Sequence, residues 1–354
     1  MAICLVLEVF LRVFNPIGFR VRGDKIILPS NTRYDVVNET VPKLDHKITH
    51  TKNSLGFRGE EPPKDWASYL TIIAVGGSTT ECFYLSDGHA WTDLLARRLK
   101  QERPRTWVNN AGLDGQTTFG HLVLMQDFIV KLRPSVVLFL VGVNDIGMAR
   151  PWGYDERIQV SFVCFSSLRC FLRTLANHSD LANLLANVLR FMDAAYKGVV
   201  HAQLDLASMA HLTIPESRMA QILDEHQTDF IPLYRQRIEK LIRISKENGI
   251  KPVFMTHPSL YGSGFDDVTG VDLETIRVGH ESNGLLEWRI LELYNEALRE
   301  VTERENVPFI DLAREMPKSS LYYYDYFHFT NQGSEKVAEI VFDGFPRALW
   351  DGSP

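Results

Sequence analysis

The stretch Leu70-Thr71-Ile72-Ile73-Ala74-Val75-Gly76-Gly77-Ser78-Thr79-Thr80-Glu81 decides the fold. Its first six residues form a short, uninterrupted apolar run, rich in β-branched side chains and closed by two glycines. Such a run reads as a buried strand, Leu70–Val75, that turns sharply at Gly76 and Gly77 and starts a helix near Ser78. The same grammar recurs downstream. Thr106–Asn109, Val136–Val141, Lys251–Thr256 and Pro308–Leu312 read as further strands, with Val136–Val141 wholly apolar as in the centre of a parallel sheet. Between and after them, His89–Lys100, Thr117–Leu132, Gln227–Asn248, Leu285–Asn306 and Gln332–Phe342 carry helical spacing. The alternation predicts an α/β fold of three layers, a five-stranded parallel sheet with helices on both faces.

Two regions break the pattern. Residues 1–68 read as an arm, with an apolar segment at Ala2–Phe14 followed by Pro-, Asn-, Asp- and Thr-rich sequence of extended or short-stranded character. Residues 69–348 form the main domain, and within it 149–226 is a helical insert after the third strand, a lid or substrate wall. In this insert Leu181, Leu184, Leu185, Val188, Leu189 and Met192 make one apolar stripe. The Ala2–Phe14 segment is too short to span a bilayer, and Glu8 and Arg12 interrupt it. It also lacks the basic start and cleavage site of a signal peptide. Three readings stand: an amphipathic helix packed on the body, a weak interfacial anchor, or the end of a membrane span.

Composition narrows the function. The 354 residues are 45% hydrophobic and 23% charged, with 38 Lys and Arg against 44 Asp and Glu, net −6. That is globular composition, and without a dense basic block it excludes a nucleic-acid partner. The four cysteines, Cys4, Cys82, Cys164 and Cys170, include no CxxC pair, and the eleven histidines include no HExxH. Buried free thiols, no metal and no cofactor are expected.

In doubly wound sheets ligands bind beyond the carboxyl ends of the strands. After the first strand stands Ser78, a candidate nucleophile. After the second come Asn110-Ala111-Gly112-Leu113-Asp114-Gly115, where the Gly115 N–H can approach a ligand oxygen. After the third comes Gly142-Val143-Asn144-Asp145, where Asn144 offers an amide donor. Near the end, Asp325-Tyr326-Phe327-His328 places a carboxylate three residues before a histidine, able to fix its tautomer and free the other nitrogen for a serine proton. Each alone reads equally as a loop residue serving its own backbone; in this order, on one face, they converge. His257, after the fourth strand, reads as a site wall, a substrate contact or an alternative base. Glu81 lines the pocket or caps a helix, and Asp145 pins its own loop.

These four blocks resemble the SGNH (GDSL-type) hydrolase superfamily, over residues 70 to 345. The departure is Gly77, where the name-giving variant has Asp. The resemblance implies a flavodoxin-like hydrolase fold, Ser78 as nucleophile, His328 as base and Asp325 as its orienting carboxylate. It also implies an oxyanion hole of the Ser78 N–H, the Gly115 N–H and the Asn144 amide. The reaction implied is cofactor-free hydrolysis of short, medium or acetyl esters through a serine acyl-enzyme. Acyl transfer to, or deacetylation of, a cell-envelope glycan and a non-catalytic scaffold are the alternatives. The Asn53-Ser54-Leu55-Gly56-Phe57-Arg58 arm resembles that of bacterial members with an N-terminal membrane anchor, which implies the cell envelope. Trp152, Tyr154 and Tyr322–Tyr324 are candidate walls for a glycan groove.

Overall fold

The structure, a computed structural model, describes residues 2–14, 21–22, 25–26, 28–151, 171, 175–176, 178–196 and 201–349. Trp152, Tyr154, Cys164 and Cys170 lie outside the described residues. Among the described residues nine strands follow in chain order. Four belong to the arm: β1 (Val21–Arg22) pairs antiparallel with β2 (Lys25–Ile26), and β3 (Thr32–Val37) with β4 (Lys47–Lys52). The other five are β5 (Leu70–Gly76), β6 (Thr106–Asn110), β7 (Val136–Leu140), β8 (Lys251–Met255) and β9 (Phe309–Ile310). They form one all-parallel sheet in the order β6-β5-β7-β8-β9.

Residue alternation along these strands builds two cores. Ile72, Ala74, Leu138, Leu140, Val253 and Met255 face one side of the sheet. There they meet Trp91, Leu95 and Leu99 of helix Trp91–Glu102 and Val337 and Val341 of helix Asn331–Gly344. Ile73, Val75, Val137, Phe139 and Phe254 face the other side and pack on helices Thr118–Leu124, Ile231–Glu247 and Gly284–Arg304. Both faces of each central strand are therefore buried, which is why the sequence shows continuous apolar runs rather than alternation.

The edges are where expectation and structure part. β9 has two residues instead of five, since beyond Ile310 the chain turns and Asp311 engages Arg299 at 2.8 and 2.9 Å. The helix expected over 227–248 is preceded by another, Glu216–Glu225, joined through a widened turn just before Pro232, which lacks the N–H that a regular continuation needs.

Helix Ala2–Phe14 packs against helix Asp180–Tyr196. Glu8 accepts the Asp180 and Leu181 amides at 3.0 Å, capping the second helix, and Arg12 donates to the His178 carbonyl. Among the described residues no helix is long and apolar enough to cross a membrane.

The strand order reverses between β5 and β7, so their carboxyl ends open the crevice where ligands bind in such sheets. Ser78 follows β5 and Asn144 follows β7.

Candidate active site

Ser78 opens the four-residue helix Ser78–Glu81 directly after the Gly76-Gly77 turn. Its Oγ lies 2.7 Å from Nε2 of His328, and Nδ1 of His328 lies 2.6 Å from Oδ2 of Asp325. The second oxygen of Asp325 accepts the Phe327 and His328 amides at 2.9 and 2.8 Å. The Asp-x-x-His spacing thus folds into a tight turn that caps itself and aims the imidazole. Burial pulls the His328 pKa down, but the charge and hydrogen bond of Asp325, with help from Asp114, outweigh it and leave it raised. Burial raises Asp325 in turn, while His328 and the two amides bring it below its ordinary value. The pair is arranged to accept a proton on the histidine while the carboxylate stays ionised.

The second and third blocks meet beside Ser78. The Asn144 side-chain amide donates to the Gln116 carbonyl at 3.0 Å, one residue after Gly115, whose φ of +69° suits glycine. A Cβ at Gly77 would lie 2.3 Å from Nδ2 of Asn144. The bare backbone at 77 is therefore the seat of the Asn144 amide.

Supports radiate from this centre. The Asn110 side chain reaches the Thr80 carbonyl and the Gly112 amide, joining the first two blocks. Asp145 accepts from the Thr118 amide and hydroxyl and pairs with Arg237 at 3.3 Å, so it pins its loop as expected.

The sequence profile of the GDSL-like Lipase/Acylhydrolase family matches residues 74–336. The chain belongs to this family of ester hydrolases. Esterase TesA of Pseudomonas aeruginosa is 30% identical over 79 residues, 22% of this chain, and the match spans 39% of that relative's length. Similar solved structures include TesA, at 15% identity and TM-score 0.42, covering 79% of this chain and 99% of that one. Another is the psychrotrophic esterase EstA from Pseudoalteromonas sp., at 12% identity and TM-score 0.44 over 80% and 100% of the two chains. A third is an acetylxylan esterase from Geobacillus stearothermophilus, at 12% identity and TM-score 0.43 over 78% and 93%.

Glu81 and His257, the two candidate substrate contacts of this acylhydrolase, both have partners within the protein, and His257 also lines a pocket with Gly77, Gln116 and Asn144. Glu81 is buried, paired with Lys52 at 3.2 Å, and accepts the Asp114 amide at 2.6 Å; it braces the nucleophile helix against the Gly115 loop. His257 is buried, with Nε2 2.9 Å from the Thr79 hydroxyl and Nδ1 2.9 Å from the Pro258 carbonyl. Burial drives its pKa down to about 3, so it stays neutral, donates to Pro258 and accepts from Thr79. With both nitrogens engaged it positions Thr79 and is no base for Ser78.

Of the other neighbours, Tyr324 was among the candidate walls, whereas His201 carries no signal in the sequence. Tyr324 stacks on His328, ring centroids 5.5 Å apart at 14°, and its hydroxyl meets Nδ1 of His201 at 2.7 Å. His201 comes from the insert and lies with its ring 4.1 Å from that of His328. Among the described residues, His201, Asp325 and His328 bring one possible metal-ligand atom each within 4.8 Å of the others. The pocket beside Ser78 is walled by Thr79, Cys82, Tyr84, Leu85, Tyr324, His328 and Phe329. The apolar stripe of the insert is not in it: Leu185, Val188, Leu189 and Met192 are exposed beside helix Ala2–Phe14.

Proposed function

We propose that the acylhydrolase cleaves short-chain carboxylic esters, with Ser78, His328 and Asp325 as its catalytic triad. The observation that carries this reading is the unbroken hydrogen-bonded chain from Ser78 Oγ through both nitrogens of His328 to Asp325. His328 takes the Ser78 proton as Oγ attacks the ester carbonyl, and Asp325 stabilises the imidazolium. Asn144 and the backbone amides of Gly115 and Ser78 hold the tetrahedral oxyanion. The imidazolium then gives its proton to the departing alcohol. Water, activated by the same histidine, releases the acid from the acyl-enzyme.

The acyl side of the reading rests on the pocket beside Ser78. Its walls include Cys82, Leu85, Tyr324 and Phe329, which bound a small, partly open space. A short acyl group suits a space of this kind, so acetate esters are the substrates this reading favours. Deacetylation of a glycan and acetyl transfer to a sugar use the same nucleophile and differ only in the alcohol or acceptor.

The test is hydrolysis of p-nitrophenyl esters from acetate to palmitate, with Ser78→Ala as control. The expected optimum is acetate, with turnover lost in the variant. An optimum at octanoate or beyond would overturn the short-acyl assignment, and full activity in Ser78→Ala would overturn the triad.

A further inference from the structure

His201 has no part in the proton transfer just described, yet the fold takes pains to place it. The Gln203 amide donates to the Thr40 carbonyl at 3.1 Å, the Leu204 amide to the Tyr324 carbonyl at 2.9 Å, and the Thr40 hydroxyl to the His201 carbonyl at 3.3 Å. The end of the insert is thereby strapped between the arm and the Asp325–His328 turn. The result is a second imidazole against the first, with a carboxylate beside them. The three side chains are 14–17% exposed, sheltered enough to strengthen ligation and open enough for an ion to enter. Asp114 adds negative charge, its Oδ1 3.9 Å from Nε2 of His201.

We propose that His201, Asp325 and His328 form a zinc-type divalent metal site whose occupation switches the hydrolase off. Two imidazoles and a carboxylate, with water completing the sphere, are a donor set that zinc takes readily. Tetrahedral zinc with ligand bonds near 2.0–2.1 Å sets donor atoms about 3.3 Å apart. The donor atoms of the three residues already lie within 4.8 Å of one another, so closing toward that spacing is the adjustment the ion requires. Ligation through Nδ1 of His328 takes the other neutral tautomer, with the ring proton on Nε2 where no lone pair is left for the Ser78 proton, and turns Asp325 from orienting the ring to holding the metal. Ligation through Nε2 occupies the lone pair that receives the Ser78 proton. Either way the histidine no longer serves as base.

The inference rests on the triad reading for its effect on activity, but binding of the ion is tested separately. Purified, chelator-treated protein is titrated with Zn2+ while p-nitrophenyl acetate hydrolysis is followed. In parallel, Co2+ is titrated and the visible absorption of the bound ion recorded. His201→Ala and His201→Gln are compared with the parent chain, each normalised to its own metal-free rate. The expected result is micromolar inhibition reversed by EDTA, a cobalt band of tetrahedral intensity, and about tenfold or more loss of metal sensitivity in both variants. Equal inhibition in parent and variants, or no inhibition and no cobalt band, would overturn the site. A cobalt band that depends on His201 in a protein without esterase activity would uphold the site and overturn the hydrolase reading instead.

Discussion

Gly77 carries no side chain, and the space a Cβ would fill belongs to the Asn144 amide. Gly77→Ala should therefore displace that amide and lower kcat much as Asn144→Ala does, by about 10²–10³-fold, the usual cost of one oxyanion donor. Steady-state kinetics on p-nitrophenyl acetate checks this, and KM should change far less than kcat. Asp325 makes a second prediction. His328 must be neutral to act as base, so activity falls as pH drops through its raised pKa. Asp325→Asn removes the carboxylate that raises it. The acid limb of the kcat/KM profile should move to lower pH while the plateau drops by about 10⁴-fold. Ser78, Asp325 and His328 were legible because their chemistry lies in local spacing: a turn before a serine, and a carboxylate one helical step from an imidazole. Glu81 and His257 were left open by the sequence because most of their partners are remote in the chain. Lys52 neutralises the first, and Thr79 and the Pro258 carbonyl saturate the second.

At the scale of elements, β5, β7 and β8 could be read to within a residue because both faces are buried and the side chains are apolar apart from Thr71 and Lys251. β9, at the sheet edge, has one neighbour and only two paired residues, so its apolar run overstated its length. The four-residue helix Ser78–Glu81 has no periodicity to read and is held by tertiary ties. The buried Lys52–Glu81 pair joins β4 of the arm to it, and Glu81 reaches on to the Asp114 amide. Lys52→Met leaves a buried carboxylate without its counter-charge and should cost about 3 kcal/mol or more in urea unfolding. The double variant Lys52→Met/Glu81→Gln should recover part of that loss. The pocket wall gives a prediction of the same rank. Leu85→Ala enlarges the space beside Ser78 and should raise the butyrate-to-acetate ratio of kcat/KM, while lowering stability by about 2–3 kcal/mol.

Across the whole molecule, the arm and the insert, which look dispensable beside the sheet, converge on the catalytic edge. Arg58 of the arm is fully buried and donates to the Glu81, Cys82 and Leu85 carbonyls, closing off the end of the nucleophile helix. Lys43 reaches the Ser320 carbonyl at 2.6 Å, and its backbone amide donates to the Gln203 side chain. None of this was visible in the sequence, since each tie joins segments about 25 to 280 positions apart. Hydrogen exchange should find the Gln203 and Leu204 amides protected in the native protein. Lys43→Met should speed their exchange without unfolding the sheet. The central claim, that Ser78 is a nucleophile held ready by His328, is tested most directly by treating the protein with a fluorophosphonate and mapping the adduct by mass spectrometry. The account predicts a single adduct on the Ser78 peptide, absent in Ser78→Ala and much slowed in His328→Ala. An unlabelled protein, or a label on another serine that persists in Ser78→Ala, would contradict it.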